Sequence, residues 1–176
     1  MMFEFSANQG THPFTDSAEH GASRLDILEM GQGYLDQIER LLHDTLALNP
    51  NNLSSYFALY KLLFRQSRLA EAERVARLAL AVSARLGHFA SAWQWHTPAT
   101  AHWADTHSPA HFHLFTLKAL SFILLRQGRI NDSLEILVKL EEIDPADLVG
   151  GSVIRSYAQG CMAAPTPQQS QDLEPA

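Results

Sequence analysis

The sequence predicts an all-α fold: an α–α superhelix of three helical hairpins closed by a capping helix. Three observations carry this. Apolar residues recur at the 3.6-residue helical spacing along most of the chain. The interruptions fall at Pro, Asn and Gly. A short segment pattern returns at fixed intervals. Strand-like alternation is absent, and no Asn-Gly or Asp-Gly pair marks a β-hairpin.

The elements read in order. Leu35, Ile38, Leu42 and Leu46 share one helical face. Asn49-Pro50-Asn51-Asn52 stops that helix and offers Asn52 as the cap of the next. Leu59, Leu62 and Leu63 form a second apolar face. Leu69, Ala72, Val75, Ala76, Ala79 and Leu80 form a third, on a run that extends to Leu86, and Gly87 suits the C′ position beyond it. Ser108-Pro109 reads as an N-cap followed by proline at the first helical position. Leu117, Leu120 and Leu124 continue that helix, and Ile130, Leu134, Leu137 and Leu140 form the next. Asp144-Pro145 ends it and opens a last helix from Asp147 to Cys161, with Val149, Val153, Ile154 and Tyr157 as its apolar stripe. Gly150 and Gly151 weaken that helix by about 1 kcal/mol each, and close approach to the preceding helix is the expected compensation.

Length and composition bound the function. The 176 residues suffice for one domain with a sizeable core, and the 46% apolar content is that of a globular chain. A net charge of -6 argues against a nucleic-acid binder, which needs a basic surface, and against docking on anionic membranes. Cys161 is the single cysteine, so no intrachain disulfide forms and a reducing compartment is expected; its plain role is a small buried or frayed-end thiol. No positive charge precedes Arg24 and no apolar h-region follows the first methionine, so no signal peptide is expected. The longest apolar stretch, Ala119 to Leu125, falls far short of the roughly 20 residues that span a bilayer. Together these point to a cytoplasmic protein. Residues 1–20 and 163–176 read as disordered tails, residues 21–162 as the helical domain, with an insert at about 88–108.

The repeat is specific enough to suggest a family. Arg65-Gln66-Ser67-Arg68-Leu69 recurs 61 residues later as Arg126-Gln127-Gly128-Arg129-Ile130. Gln32-Gly33-Tyr34-Leu35 precedes Gln66-Ser67-Arg68-Leu69 by 34 residues, the tetratricopeptide period. The chain resembles that family over residues 19–84 and 109–145. In the first unit Gly33 matches the inter-helix turn, Ile38 and Leu42 the packing positions, and Leu48-Asn49-Pro50 the closing motif. In the second, Tyr56, Leu59, Tyr60 and Leu63 match the first helix, Ser67 replaces the turn glycine, and Ala72, Ala76 and Ala79 are the small packing positions. In the third, Leu117, Leu120, Ser121 and Leu124 precede Gly128, Ser133, Leu137 and Ile143-Asp144-Pro145. The repeats are degenerate: the first unit lacks an early aromatic, the second lacks its closing proline, and about 25 residues separate the second from the third.

The resemblance implies a concave groove lined by the first helix of each unit. Phe57, Lys61, Phe64 and Arg65 would face it from the second unit, and Phe115, Lys118, Phe122 and Arg126 from the third. Aromatic area with flanking cations suits a partly apolar, acidic peptide or protein partner. No asparagine sits in the body of either first helix, so the carboxylate clamp best known in the family is not expected. The resulting expectation is a non-catalytic adaptor, scaffold or co-chaperone. A dedicated secretion chaperone for one client is an alternative, because small acidic proteins with three such repeats resemble that group.

A second alternative is a metal-binding accessory protein, from the insert. His88, His96, His102, His107, His111 and His113 cluster there with Trp93, Trp95 and Trp103. Their spacings match no helical ligand pair; His107 and His111 are four apart, but Ser108-Pro109 starts the helix between them. The plainer expectation is a loop folded back on the array, with tryptophans buried and histidines outside. No phosphate loop, nucleophile elbow or CxxC motif is present, and Glu71, Glu73, Glu141 and Glu142 read as solvated helix faces. No enzyme activity, cofactor or metal is therefore expected.

Overall fold

The computed structural model describes residues 24–163, with side chains from Gly31 to Cys161. The tail expected at 1–20 lies outside the described residues, as does that expected at 163–176 except for Ala163, which ends a helix. Among the described residues there are six α-helices and no strand, in keeping with the all-α class. They are α1 (Arg24–Leu48), α2 (Leu53–Arg65), α3 (Leu69–Leu86), α4 (Pro109–Arg126), α5 (Ile130–Ile143) and α6 (Gly151–Ala163), with a 3-10 turn at Trp93–Trp95. The described residues divide into two units, one ending at Tyr34 and one beginning at Leu35.

The first expected hairpin is a single helix. Helix α1 runs unbroken through Gly33, where the repeat pattern calls for a turn. Gly31 and Gly33 together weaken the helix by about 2 kcal/mol, which the good helix formers flanking them outweigh. A Cβ at Gly33 would meet nothing within 4 Å, so no close packing demands glycine there.

The other two hairpins form as the repeat suggests. At the α2–α3 turn, Ser67 takes a left-handed φ of 61° and Gly128 takes 78° at the α4–α5 turn. Both turns close with the same bonds. Arg68 N–H donates to Leu63 O at 3.0 Å, and Arg129 N–H to Leu124 O at 2.9 Å. Ser67 and Gly128 N–H donate to Phe64 O and Leu125 O, each at 3.0 Å. These bonds satisfy carbonyls that the helix end would leave orphaned. Arg68 then pairs with Glu71, and Arg129 with Asp132, in equivalent places. The N-caps also follow the sequence: the Asn52 side chain accepts Ser55 N–H, and Ser108 Oγ accepts His111 N–H, both at 3.1 Å.

The core lies where these hairpins meet. Helix α4 packs on α2, α3, α5 and α6. That explains why it is apolar nearly all round rather than striped. Leu114, Leu117, Leu120 and Leu124 from α4 are buried with Leu59, Leu63, Leu137 and Leu140. Each such side chain contributes about 1.5–3 kcal/mol of burial. Ala72, Ala76 and Ala79 are fully buried, as their small size at packing positions implies. Ser133 occupies the place in α5 that Ala72 holds in α3, and is equally buried. Leu42 and Leu46, in the second unit's part of α1, pack on the edge of this core.

Two helix ends depart from expectation. Gly87 is the C-cap of α3 in ordinary helical conformation, and His88 holds the left-handed C′ position at φ 58°. Gly87 is required instead for space: a Cβ there would lie 2.2 Å from Cε1 of Phe89. At the other end, α6 begins at Gly151 rather than Asp147. Gly150 has φ 74° and lies in the turn, so its role is conformational. Buried Asp144 shapes that turn by accepting Leu148 N–H and Val149 N–H, each at 3.0 Å. The expected stripe of this helix is rotated: Ile154 and Ala158 face the core, whereas Val153 and Tyr157 are exposed.

Candidate functional site

Helices α2 and α4 lie side by side, and α6 flanks α4. The exposed edge between them is an open hollow of about 210 Å³. Phe57, Lys61 and Phe64 line it from α2; Phe115, Lys118 and Phe122 line it from α4. Successive lining positions are three or four residues apart, the spacing that keeps them on one helical face. The Phe64 and Phe122 rings meet across the helix pair with centroids 5.2 Å apart. The Arg126 guanidinium lies 5.5 Å from the Phe64 ring, and Lys61 Nζ lies 5.5 Å from that of Phe57.

Six of the eight residues singled out in the sequence line this hollow, and Arg126 lies beside it over the Phe64 ring; Arg65 is exposed and outside it. Lys118 plays a different part from the one its charge suggests. Its ammonium donates to the Val149 carbonyl and lies 4.4 Å from the Phe115 ring, tying α4 to the turn before α6. Burial lowers its pKa, although Asp147 opposes the shift. Lys61 and Arg126 are the cations turned to solvent.

Tyr60, Ala119, Ile123 and Ile154 complete the lining. Tyr60 reads as core in the sequence, and its ring is indeed buried. Its hydroxyl is buried, and desolvation pushes its pKa up to about 12 against the opposing effect of the neighbouring Thr116 hydroxyl. Ile154 was not legible as a lining residue because it belongs to a helix outside the repeat. The floor is thus almost wholly carbon, with the charge at the rim. A second hollow shares Phe57 and Phe115 and adds Ser54, Thr106, His111 and Phe112, so the insert walls the site at one end.

The expected arrangement of rings holds only in part: His88, His102 and His107 are exposed, but other histidines are not. Trp103 is buried, Trp93 half-buried and Trp95 80% exposed. His96, His111 and His113 are buried. Ser83 Oγ donates to Leu80 O at 3.0 Å and lies 2.9 Å from His113 Nδ1. His113 Nε2 lies 3.2 Å from His96 Nε2. These contacts are satisfied when His113 Nδ1–H donates to Ser83 and His96 Nε2–H donates to His113. Phe89, His96, Trp103 and His113 form one aromatic cluster, with centroids 5.1–6.4 Å apart. Burial drives the His113 pKa down to about 3, with His96 adding to the shift. Such burial was invisible in the sequence because the cage forms only where the insert's Phe89, His96 and Trp103 meet Ser83 of α3 and His113 of α4.

Among the described residues no three His, Cys, Asp or Glu side chains converge to hold a metal ion. Thus the clustered histidines present no ligand set for the metal-binding alternative. Cys161 is exposed near the end of α6. Glu71 and Glu73 are more engaged than solvated faces would be. Glu73 pairs with Arg77 at 2.8 Å and Arg129 at 3.0 Å, joining α3 to the α4–α5 turn. Among the described residues no helix is long and apolar enough to cross a membrane. No protein-family model matches the chain, and no curated protein matches it significantly.

Proposed function

We propose that the chain is a non-catalytic protein-binding module of tetratricopeptide-like design, acting as an adaptor or co-chaperone in the cytoplasm. One observation carries this reading: four phenylalanines from two adjacent helices surround a solvent-open hollow with cations at its rim. An apolar concavity left open to water marks an interaction site more often than a folding need. The pairing of α2 with α3, α4 with α5, and α2 with α4 supports an α–α superhelix in which that hollow is the concave face. The partner is a peptide or protein segment with apolar side chains for the floor and carboxylates for Lys61 and Arg126. A secretion-type chaperone holding one client is a specific form of the same reading. The test is affinity capture from the source cells with wild type beside Lys61→Glu/Arg126→Glu. Loss of a defined partner with unchanged helical circular dichroism supports the proposal; identical partners for both proteins reject it.

A further inference from the structure

The insert is fastened to the helical body by a buried polar contact that the groove does not use. His96 comes from the insert, His113 from α4 and Ser83 from α3, so one chain of contacts joins three elements. All three side chains are buried, His113 and Ser83 completely. His96 Nδ1 is buried with no hydrogen-bond partner. The ring therefore holds its place as a neutral donor through Nε2, and a proton added at Nδ1 would find no acceptor.

The charged surroundings favour that neutral state. Lys139, from α5, donates to the His96 carbonyl at 3.1 Å and brings a positive charge beside the ring. Its own carboxylate partner, Glu142, is exposed. His111, from α4, is engaged with the Trp103 carbonyl at 3.0 Å. From α3 the facing group is the uncharged Ser83, and within the insert they are the rings of Phe89 and Trp103. Among the described residues no carboxylate hydrogen-bonds or pairs with either histidine ring.

We propose that Ser83, His96 and His113 form an acid-released latch: with both rings neutral the insert 88–108 is held on α3 and α4, and protonation frees it. Two imidazolium rings cannot share a dry contact with their nitrogens 3.2 Å apart. Opening the insert lets both rings reach water. Burial lowers the pKa of each ring, so closure is fully favoured above about pH 6.5, where a free histidine is neutral. Below that, the closed-to-open ratio falls about tenfold per pH unit for each ring that titrates on opening. This device does not depend on what the hollow binds.

The insert carries all three tryptophans, which makes its release visible. The experiment follows the tryptophan emission maximum of the full chain from pH 7.5 to 4.5, with circular dichroism at each point. The latch predicts a red shift within that window while helicity persists. His96→Phe/His113→Phe keeps the aromatic packing, removes both titrating groups and should abolish the shift. His96→Gln, which retains a donor toward His113, should make the transition less steep and serves if the double variant fails to fold. Amide exchange at pH 5 should rise in 88–108 before it rises in α3 and α4. A flat emission maximum, loss of helicity in step with the shift, or an unchanged transition in both variants would overturn the proposal.

Discussion

Substituting Gly87 by alanine tests how the insert is packed. A Cβ at Gly87 would sit 2.2 Å from Phe89 Cε1 and 2.8 Å from Cδ1, where carbon atoms need about 3.5 Å. The Phe89 ring must therefore leave its place against His96, Trp103 and His113, whose centroids lie 5.3, 5.5 and 5.1 Å away. Losing part of a phenylalanine's burial with its ring contacts costs about 1–3 kcal/mol. Alanine recovers about 0.4–1 kcal/mol, because Gly87 has φ -85°, a conformation alanine adopts freely. The net expectation is a destabilisation of about 1–2 kcal/mol. In a Phe89→Ala background the clash is gone, and the same substitution should stabilise by about 0.5 kcal/mol. Urea unfolding of the four proteins, read by circular dichroism and tryptophan emission, measures the cycle. The reasoning is refuted if Gly87→Ala leaves the wild-type chain unchanged, or if it costs the same with and without the Phe89 ring.

Three further outcomes follow from the turns. Ser67→Gly should stabilise the α2–α3 hairpin by about 0.5–1 kcal/mol, and Gly128→Ala should destabilise the α4–α5 hairpin by about 1 kcal/mol, since each site holds a left-handed residue; thermal unfolding checks both signs. Asp144→Ala removes a buried carboxylate that accepts two backbone N–H groups, and should cost about 2–3 kcal/mol with faster amide exchange at Leu148, Val149 and the start of α6.

What the sequence made legible was local. Asn52, Ser108-Pro109 and the two Arg-Gln-x-Arg turns act through atoms a few residues apart, so residue identity determines their geometry. The aromatic rows Phe57/Phe64 and Phe115/Phe122 were legible because helical spacing places each pair on one face. Features set by tertiary contact were not. The role of Gly87 depends on where the Phe89 ring lies, and the burial of His96 and His113 depends on a cage built across three elements. Lys118 reads as a groove cation until the Val149 carbonyl is found beside it. Gly33 carries the repeat's turn signature, yet α1 continues because it and Gly31 do not outweigh a strong helical context.

The central claim is that the phenylalanine-lined hollow binds a partner segment. Peptides selected from a random display library against the folded protein supply a defined ligand, whose Kd can be compared between wild type, Phe64→Ala/Phe122→Ala and Lys61→Glu/Arg126→Glu. The account predicts selected sequences that combine apolar and acidic residues, and at least about a tenfold loss of affinity in both variants, since hot-spot aromatics and facing charges each contribute on the order of 1–2 kcal/mol or more. Equal affinity across the three proteins, or failure to select any peptide, would contradict it.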